Sequence, residues 1–204
     1  MDDAAFSEKL RAWAAGDSAA GDALYANAYD DLKAVARRSL RSLGRGDQIS
    51  TTLLVNECYL KLARSGGVGP ETRQHYLALC GRAMRQIIVD SARRKLAGKR
   101  GGGAVVQAPE QDNGAPVEPA PEALLPDVAG APRTLGPEAL VALEQALATL
   151  EGGEPRLARI AECRIFSGME CGEIASVLGV TERTVQRDWV RLKALLLLAL
   201  ETAV

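Results

Sequence analysis

The chain has 204 residues, 47% of them hydrophobic but only 4% aromatic, and its 25 basic side chains nearly balance 26 acidic ones to a formal charge of −1. That length holds one ordinary domain or two small ones, and an aromatic-poor core rich in Leu, Ala, Val and Ile suits packed helices better than a β-sandwich. Cys58, Cys80, Cys163 and Cys171 are scattered without CxxC spacing and His75 is the one histidine, so a zinc site lacks ligands and no metal or cofactor is expected.

In chain order, the opening stretch MDDAAFSEKLRAWAAG is acidic and amphipathic, with no basic n-region and no long apolar run. Neither a signal peptide nor membrane insertion is expected, and isolated thiols then fit a reducing cytosol as small buried apolar residues. Phe6, Leu10 and Trp13 make an i, i+4, i+7 stripe that ends at Gly16. A second helix carries Leu24, Ala28, Leu32 and Val35 on one face and stops near Gly44. A third spans roughly Thr52 to Arg64, with Leu54, Cys58 and Leu62 in register, and a fourth runs from near Glu71 to about Leu96.

The stretch that follows is different. It reads GGGAVVQAPEQDNGAPVEPAPEALLPDVAGAPRTLGP, punctuated throughout by Gly and Pro and without helical periodicity. A packed loop of that length inside one domain would be unusual. The expected organisation is therefore all-α: a helical domain over 1–100, an acidic linker over 101–136, and a second helical domain over 137–204, with helices at about 137–150 and 155–167 before the last motif.

Near neutrality conceals segregation. From Gly81 to Arg100 seven basic side chains face Asp90 alone, whereas Gly101 to Pro132 has five acidic side chains and no Lys or Arg. Local patches, not the total, then decide which partners are attracted.

The motif MECGEIASVLGVTERTVQRDW, residues 169–189, has the grammar of a helix-turn-helix. Ile174 and Leu178 face inward, Ala175 is small where two helices approach, Gly179 suits a left-handed turn, and Val180 plugs the angle. Thr181 is a natural N-cap, and Val185, Trp189, Leu192 and Leu196 form the buried stripe of the second helix. That leaves Thr181, Arg183, Thr184, Gln186, Arg187 and Arg191 as candidate DNA contacts beside Glu182. Arg and Gln can fork onto guanine and adenine edges, and all but Arg191 lie near the end that enters a major groove.

A second constellation is QHYLALCGRAMRQIIVDSARRKLAGKRGGG. Leu77, Met84, Ile87 and Ile88 pack inward, leaving Arg82, Arg85, Gln86, Arg93, Arg94 and Lys95 for nucleic acid, with His75 and Tyr76 as candidates to stack unpaired bases.

At these residues the sequence resembles the extracytoplasmic-function (ECF) class of bacterial sigma factors, over nearly the whole chain. LVNECYLKL (54–62) is similar to region 2.2, HYLALCGRAMRQIIVDSARRK (75–95) to regions 2.3 and 2.4, and ECRIFSGMECGEIASVLGVTERTVQRDWVRLKALL (162–196) to region 4. The resemblance implies a region 2 bundle and a region 4 helix-turn-helix domain that together direct promoter-specific initiation by core RNA polymerase. Leu54, Val55, Asn56, Glu57, Tyr59, Leu60 and Lys61 would meet the β′ clamp helices, the 75–95 helix would read and open the −10 element, and the 181–191 face would read the −35 element near the β flap. Promoter DNA and core polymerase are the implied partners, an anti-sigma factor or a Ser/Thr kinase a candidate regulator, and the cytoplasm, at the nucleoid, the implied location. Reading elements two DNA turns apart are separated by roughly 70 Å. A tether of about 35 residues, extended, reaches on the order of 100 Å.

The sequence departs from the family where many members place an acidic cluster before the LVxExxL helix. Ser50, Thr51, Thr52 and Leu53 stand there instead. Phosphorylation of Thr52, or of Thr51 or Ser50, would restore the missing negative charge at a helix N-terminus. The alternative reading is a stand-alone dimeric helix-turn-helix regulator. An enzyme is disfavoured by the single His, the absence of paired carboxylates in a plausible cleft, and GKRGGG, which lacks Walker spacing.

Overall fold

The computed structural model describes residues 2–41, 49–64, 72–101 and 136–201. Among them there is no strand; the elements are α1 (Asp3–Ala14), α2 (Ser18–Arg41), α3 (Thr51–Arg64), α4 (Arg73–Gly101), α5 (Pro137–Gly153), α6 (Pro155–Ala161), α7 (Cys171–Leu178) and α8 (Glu182–Glu201). The linker expected over 101–136 lies almost wholly outside the described residues, as does Gly44.

Local chemistry sets the helix starts. Asp2 accepts from the Ala5 amide at 2.8 Å to open α1, and Asp17 accepts from Ala19 and Ala20 at 2.9 and 3.1 Å to open α2. Ser50 does the same for α3, its hydroxyl accepting from the Leu53 amide at 3.1 Å. Helix α4 continues past Leu96 to Gly101, further than its apolar stripe indicated.

The apolar stripes meet as expected in the N-terminal half. Phe6, Leu10, Leu24, Ala28, Leu32, Leu54, Cys58, Cys80, Met84 and Ile88 are all essentially buried. Tyr76 seals this core, edge-on to Phe6 at 5.6 Å and to Trp13 at 6.3 Å. The thiols of Cys58, Cys80 and Cys163 are buried and unpaired, and burial pushes the Cys163 thiol up to about 11.

The C-terminal half builds on Leu140, Leu143 and Leu147 of α5, Leu157 and Ile160 of α6, and Val185, Leu192 and Leu196 of α8. Where one continuous helix was expected over 155–167, α6 ends at Ala161 and widens into a π turn over Glu162–Phe166. The Ser167 amide there donates to the Glu162 carbonyl at 3.3 Å, five residues back.

The two halves pack against each other directly. Helix α5 lies along α4, and the π turn lies on α2 and α4. Ser39 donates its hydroxyl to the Phe166 carbonyl at 2.8 Å, Arg38 donates to the Gly168 carbonyl at 2.9 Å, and Ser167 donates to the Leu77 carbonyl at 3.4 Å. Two helical domains joined only by a tether would need none of these bonds. The sequence stripes identified each half's own core but not this shared face.

Candidate nucleic-acid interface

The helix-turn-helix forms as its residues dictate. Gly179 ends α7 at φ 65°, ψ 33°, the left-handed conformation, with nothing within 4 Å of where a Cβ would stand. The Val180 amide donates to the Ala175 carbonyl at 3.1 Å, which closes the turn. Thr181 accepts from the Thr184 amide at 3.3 Å and starts α8. Val185 and Leu192 are wholly buried, and Trp189 is half-buried under the Arg164 guanidinium at 5.8 Å, so Trp189 packs rather than presenting its face.

On the opposite side of α8, Thr181, Arg183, Gln186, Arg187 and Arg191 are exposed and Thr184 is half-buried. Gln186 donates to Glu182 at 3.1 Å, and Arg191 pairs with Glu154 at 2.6 Å, which draws it toward α6 and away from the helix tip. Asp188 is a residue the sequence reading missed. It is buried and accepts from Arg156 at 2.8 Å, tying α8 to α6.

The α4 face is arranged differently from expectation. Tyr76 is core and has no face for a base to stack on. Arg85, expected to be available, is 5% exposed: its Nη1 lies 3.1 Å from Glu162 and its Nε 3.3 Å from Glu144, under the Phe166 ring. Arg82 reaches Glu151 at 2.9 Å and Glu162 at 3.7 Å. His75 donates from Nε2 to the Val177 carbonyl of α7 at 2.9 Å. Burial raises the Glu162 carboxyl above its usual range, opposed by the nearby guanidinium groups of Arg85, Arg82 and Arg159. Arg93 and Arg94 remain exposed and Lys95 half-exposed beyond this contact. Gln86 and Arg93 share a polar cleft of about 230 Å³ with Lys61, Val89, Asp90 and Glu144.

On α3 the expected polymerase-facing residues divide. Leu54 and Val55 are wholly buried and serve the core, a correction that follows from their place in the same stripe as Cys58 and Leu62. Asn56, Glu57 and Leu60 are exposed, and Tyr59 and Lys61 half-buried. Leu53, 40% exposed, joins Leu60, 43% exposed, one helical repeat away; the spacing 53, 56, 57, 60 could have revealed it. Tyr25 donates to Asn56 at 2.6 Å and Tyr59 donates to Asp22, which brace this face from α2.

Among the described residues no group of His, Cys, Asp and Glu could hold a metal ion, and no helix is long and apolar enough to cross a membrane.

The chain thus combines a capped helix-turn-helix, a second basic helix and two exposed leucines on a third helix. The ECF sigma factor family matches residues 3–201, essentially the whole chain, and the protein belongs to that family. Its role is accordingly in transcription initiation with RNA polymerase, and the family is not an enzyme class. No curated protein and no solved structure matches the chain.

Proposed function

We propose that this sigma factor docks on the β′ clamp helices of core RNA polymerase through the exposed strip Leu53–Asn56–Glu57–Leu60, reads the −35 element with the N-terminal half of α8, and reads and opens the −10 element with the basic face of α4. The −35 assignment is carried by one observation: Arg183, Gln186 and Arg187 are exposed on the helix whose other side buries Val185 and Leu192. A chain of net charge −1 fits a subunit that leaves most nonspecific phosphate contacts to the polymerase and binds DNA weakly alone. A cytoplasmic location follows from that role. The division into a −10 domain over 1–100 and a −35 domain over 137–204 belongs to the same reading.

Control at the start of α3 fits the same scheme. Thr51 and Thr52 occupy the first turn and Ser50 caps it, so a phosphate there would meet the positive end of the helix and supply the charge missing beside the clamp-docking strip. Polymerase affinities of wild type, Thr52→Ala and Thr52→Asp test it; equality among all three, with and without a Ser/Thr kinase, removes it.

The decisive experiment is run-off transcription by reconstituted holoenzyme on a promoter library, with Arg187→Ala and Arg82→Ala variants. Promoters should be selected whose −35 preference relaxes with Arg187→Ala and whose opening weakens with Arg82→Ala. A chain that does not associate with core polymerase, and shifts a duplex alone as a dimer, would be a stand-alone regulator.

A further inference from the structure

Beside the docking strip, two tyrosine hydroxyls cross the α2–α3 contact in opposite directions. Tyr25 of α2 donates to Asn56 Oδ1 on α3 at 2.6 Å, and Tyr59 of α3 donates to Asp22 on α2. The Tyr25 ring lies against two others, tilted on Tyr59 at 4.6 Å and edge-on to Tyr29 at 5.6 Å, with the Lys33 ammonium 5.5 Å over Tyr29. A ring packed in this way has little freedom to swing, so its hydroxyl is a fixed point beside Asn56. Burial, with Tyr29 and Cys58 nearby, raises the Tyr25 hydroxyl above its usual range, which keeps it protonated and able to donate.

That bond decides which end of the Asn56 amide faces outward. An asparagine amide carries an acceptor oxygen and a donor nitrogen, and it can turn either one to a partner. With Oδ1 engaged by Tyr25, the Nδ2 group is the end left to solvent, on a residue that is exposed between Leu53 and Leu60. Within the strip, Leu53 and Leu60 are apolar and an ionised Glu57 only accepts, so Asn56 Nδ2 is its side-chain donor.

We infer that Tyr25 is a positioning residue for polymerase docking: its hydroxyl holds Asn56 with Nδ2 outward, and the strip is thereby matched to a clamp surface that sets a side-chain carboxylate or amide oxygen between two apolar contacts. The inference rests on the reading that this strip docks on core polymerase. A tyrosine on α2, acting through its neighbour, then sets the polarity at the centre of an α3 contact.

Affinity of the full chain for core polymerase tests it with four variants. Tyr25→Phe deletes the hydroxyl and keeps the ring; it should weaken binding about fivefold, the scale of one net hydrogen bond. Asn56→Ala should weaken binding about tenfold. Tyr25→Phe added to Asn56→Ala should cost nothing more, because the hydroxyl acts through that amide. Asn56→Asp still accepts from Tyr25 but has lost the donor, so it should bind no better than Asn56→Ala. A merely structural brace would behave otherwise, with Tyr25→Phe costing the same factor whether or not the Asn56 amide is present. Equal cost in both backgrounds, no cost in either, or wild-type affinity of Asn56→Asp overturns the positioning role, provided that Leu53→Glu or Leu60→Glu weakens binding. If neither leucine variant weakens it, the docking reading beneath falls instead.

Discussion

The Arg85 guanidinium on α4 and the Glu162 carboxylate in the π turn meet at 3.1 Å with their side chains 5% and 6% exposed, making a buried ion pair between the two halves of the chain. Such a pair is weak evidence for stability as a unit but strong evidence against removing one member. Arg85→Ala should lower the unfolding free energy by about 3 kcal/mol, toward the low end for a broken buried pair, because Arg82 Nε stays 3.7 Å from the same carboxylate. Arg85→Met combined with Glu162→Leu should recover most of that loss. Urea denaturation of the two variants gives the comparison; equal destabilisation would show that the uncompensated charge is not what the single variant suffers from.

The same carboxylate predicts a pH dependence. Burial raises Glu162 above its ordinary 4.5, against lowering by Arg85 and Arg82 from α4 and Arg159 from α6, with Glu151 of α5 adding to the rise. Glu144 of α5 completes the surrounding charges. Between pH 4.5 and that raised value the folded chain therefore holds a proton that the unfolded chain has released. That contribution is complete below pH 4.5 and is lost as pH rises through the raised value. The thermal midpoint of wild type minus that of Glu162→Gln should fall over this interval. A flat difference would mean that Glu162 titrates as it does in the unfolded chain.

Much of this was legible because each helix announces its core by its own spacing: Phe6, Leu10 and Trp13, or Val185, Leu192 and Leu196, need no knowledge of what they pack against. The helix-turn-helix was legible for the same local reason, through Gly179, Thr181 and Ala175. The contact between the halves was not, because charge alternation on α4 reads alike whether its partner is DNA, water or Glu162. Arg85 reads from the sequence as a nucleic-acid contact for want of that partner, and Tyr76 as a base-stacking residue because an aromatic beside a basic run carries no mark of which way it faces. The π turn is not visible in the sequence because its residues continue a helical pattern; the widening shows in backbone bonding five residues back, as from Ser167 to Glu162.

Gly179 offers a clean test of backbone conformation. No neighbour lies within 4 Å of a Cβ placed there, so Gly179→Ala adds no clash and reports the left-handed conformation alone. The expected destabilisation is about 1–2 kcal/mol, the penalty for an L-residue at that position. Gly179→Asn should lose less, since Asn tolerates the same region. Urea midpoints for the three proteins check the order Gly, Asn, Ala. Equal midpoints for Ala and Gly would mean that the turn relaxes to another geometry.

On α3, adjacent leucines should separate stability from docking. Leu54 is wholly buried, so Leu54→Ala should cost about 2–5 kcal/mol of folding stability through the cavity it leaves. Leu53 and Leu60 are 40% and 43% exposed, so Leu60→Glu and Leu53→Glu should change stability by no more than about 0.5 kcal/mol. If this strip is the centre of the polymerase contact, each should weaken binding to core enzyme by about 2 kcal/mol, close to thirtyfold. Unfolding midpoints and polymerase affinities on the same three variants settle the division. A polymerase affinity unchanged by both exposed substitutions would move the docking surface off α3, however well the family resemblance places it there.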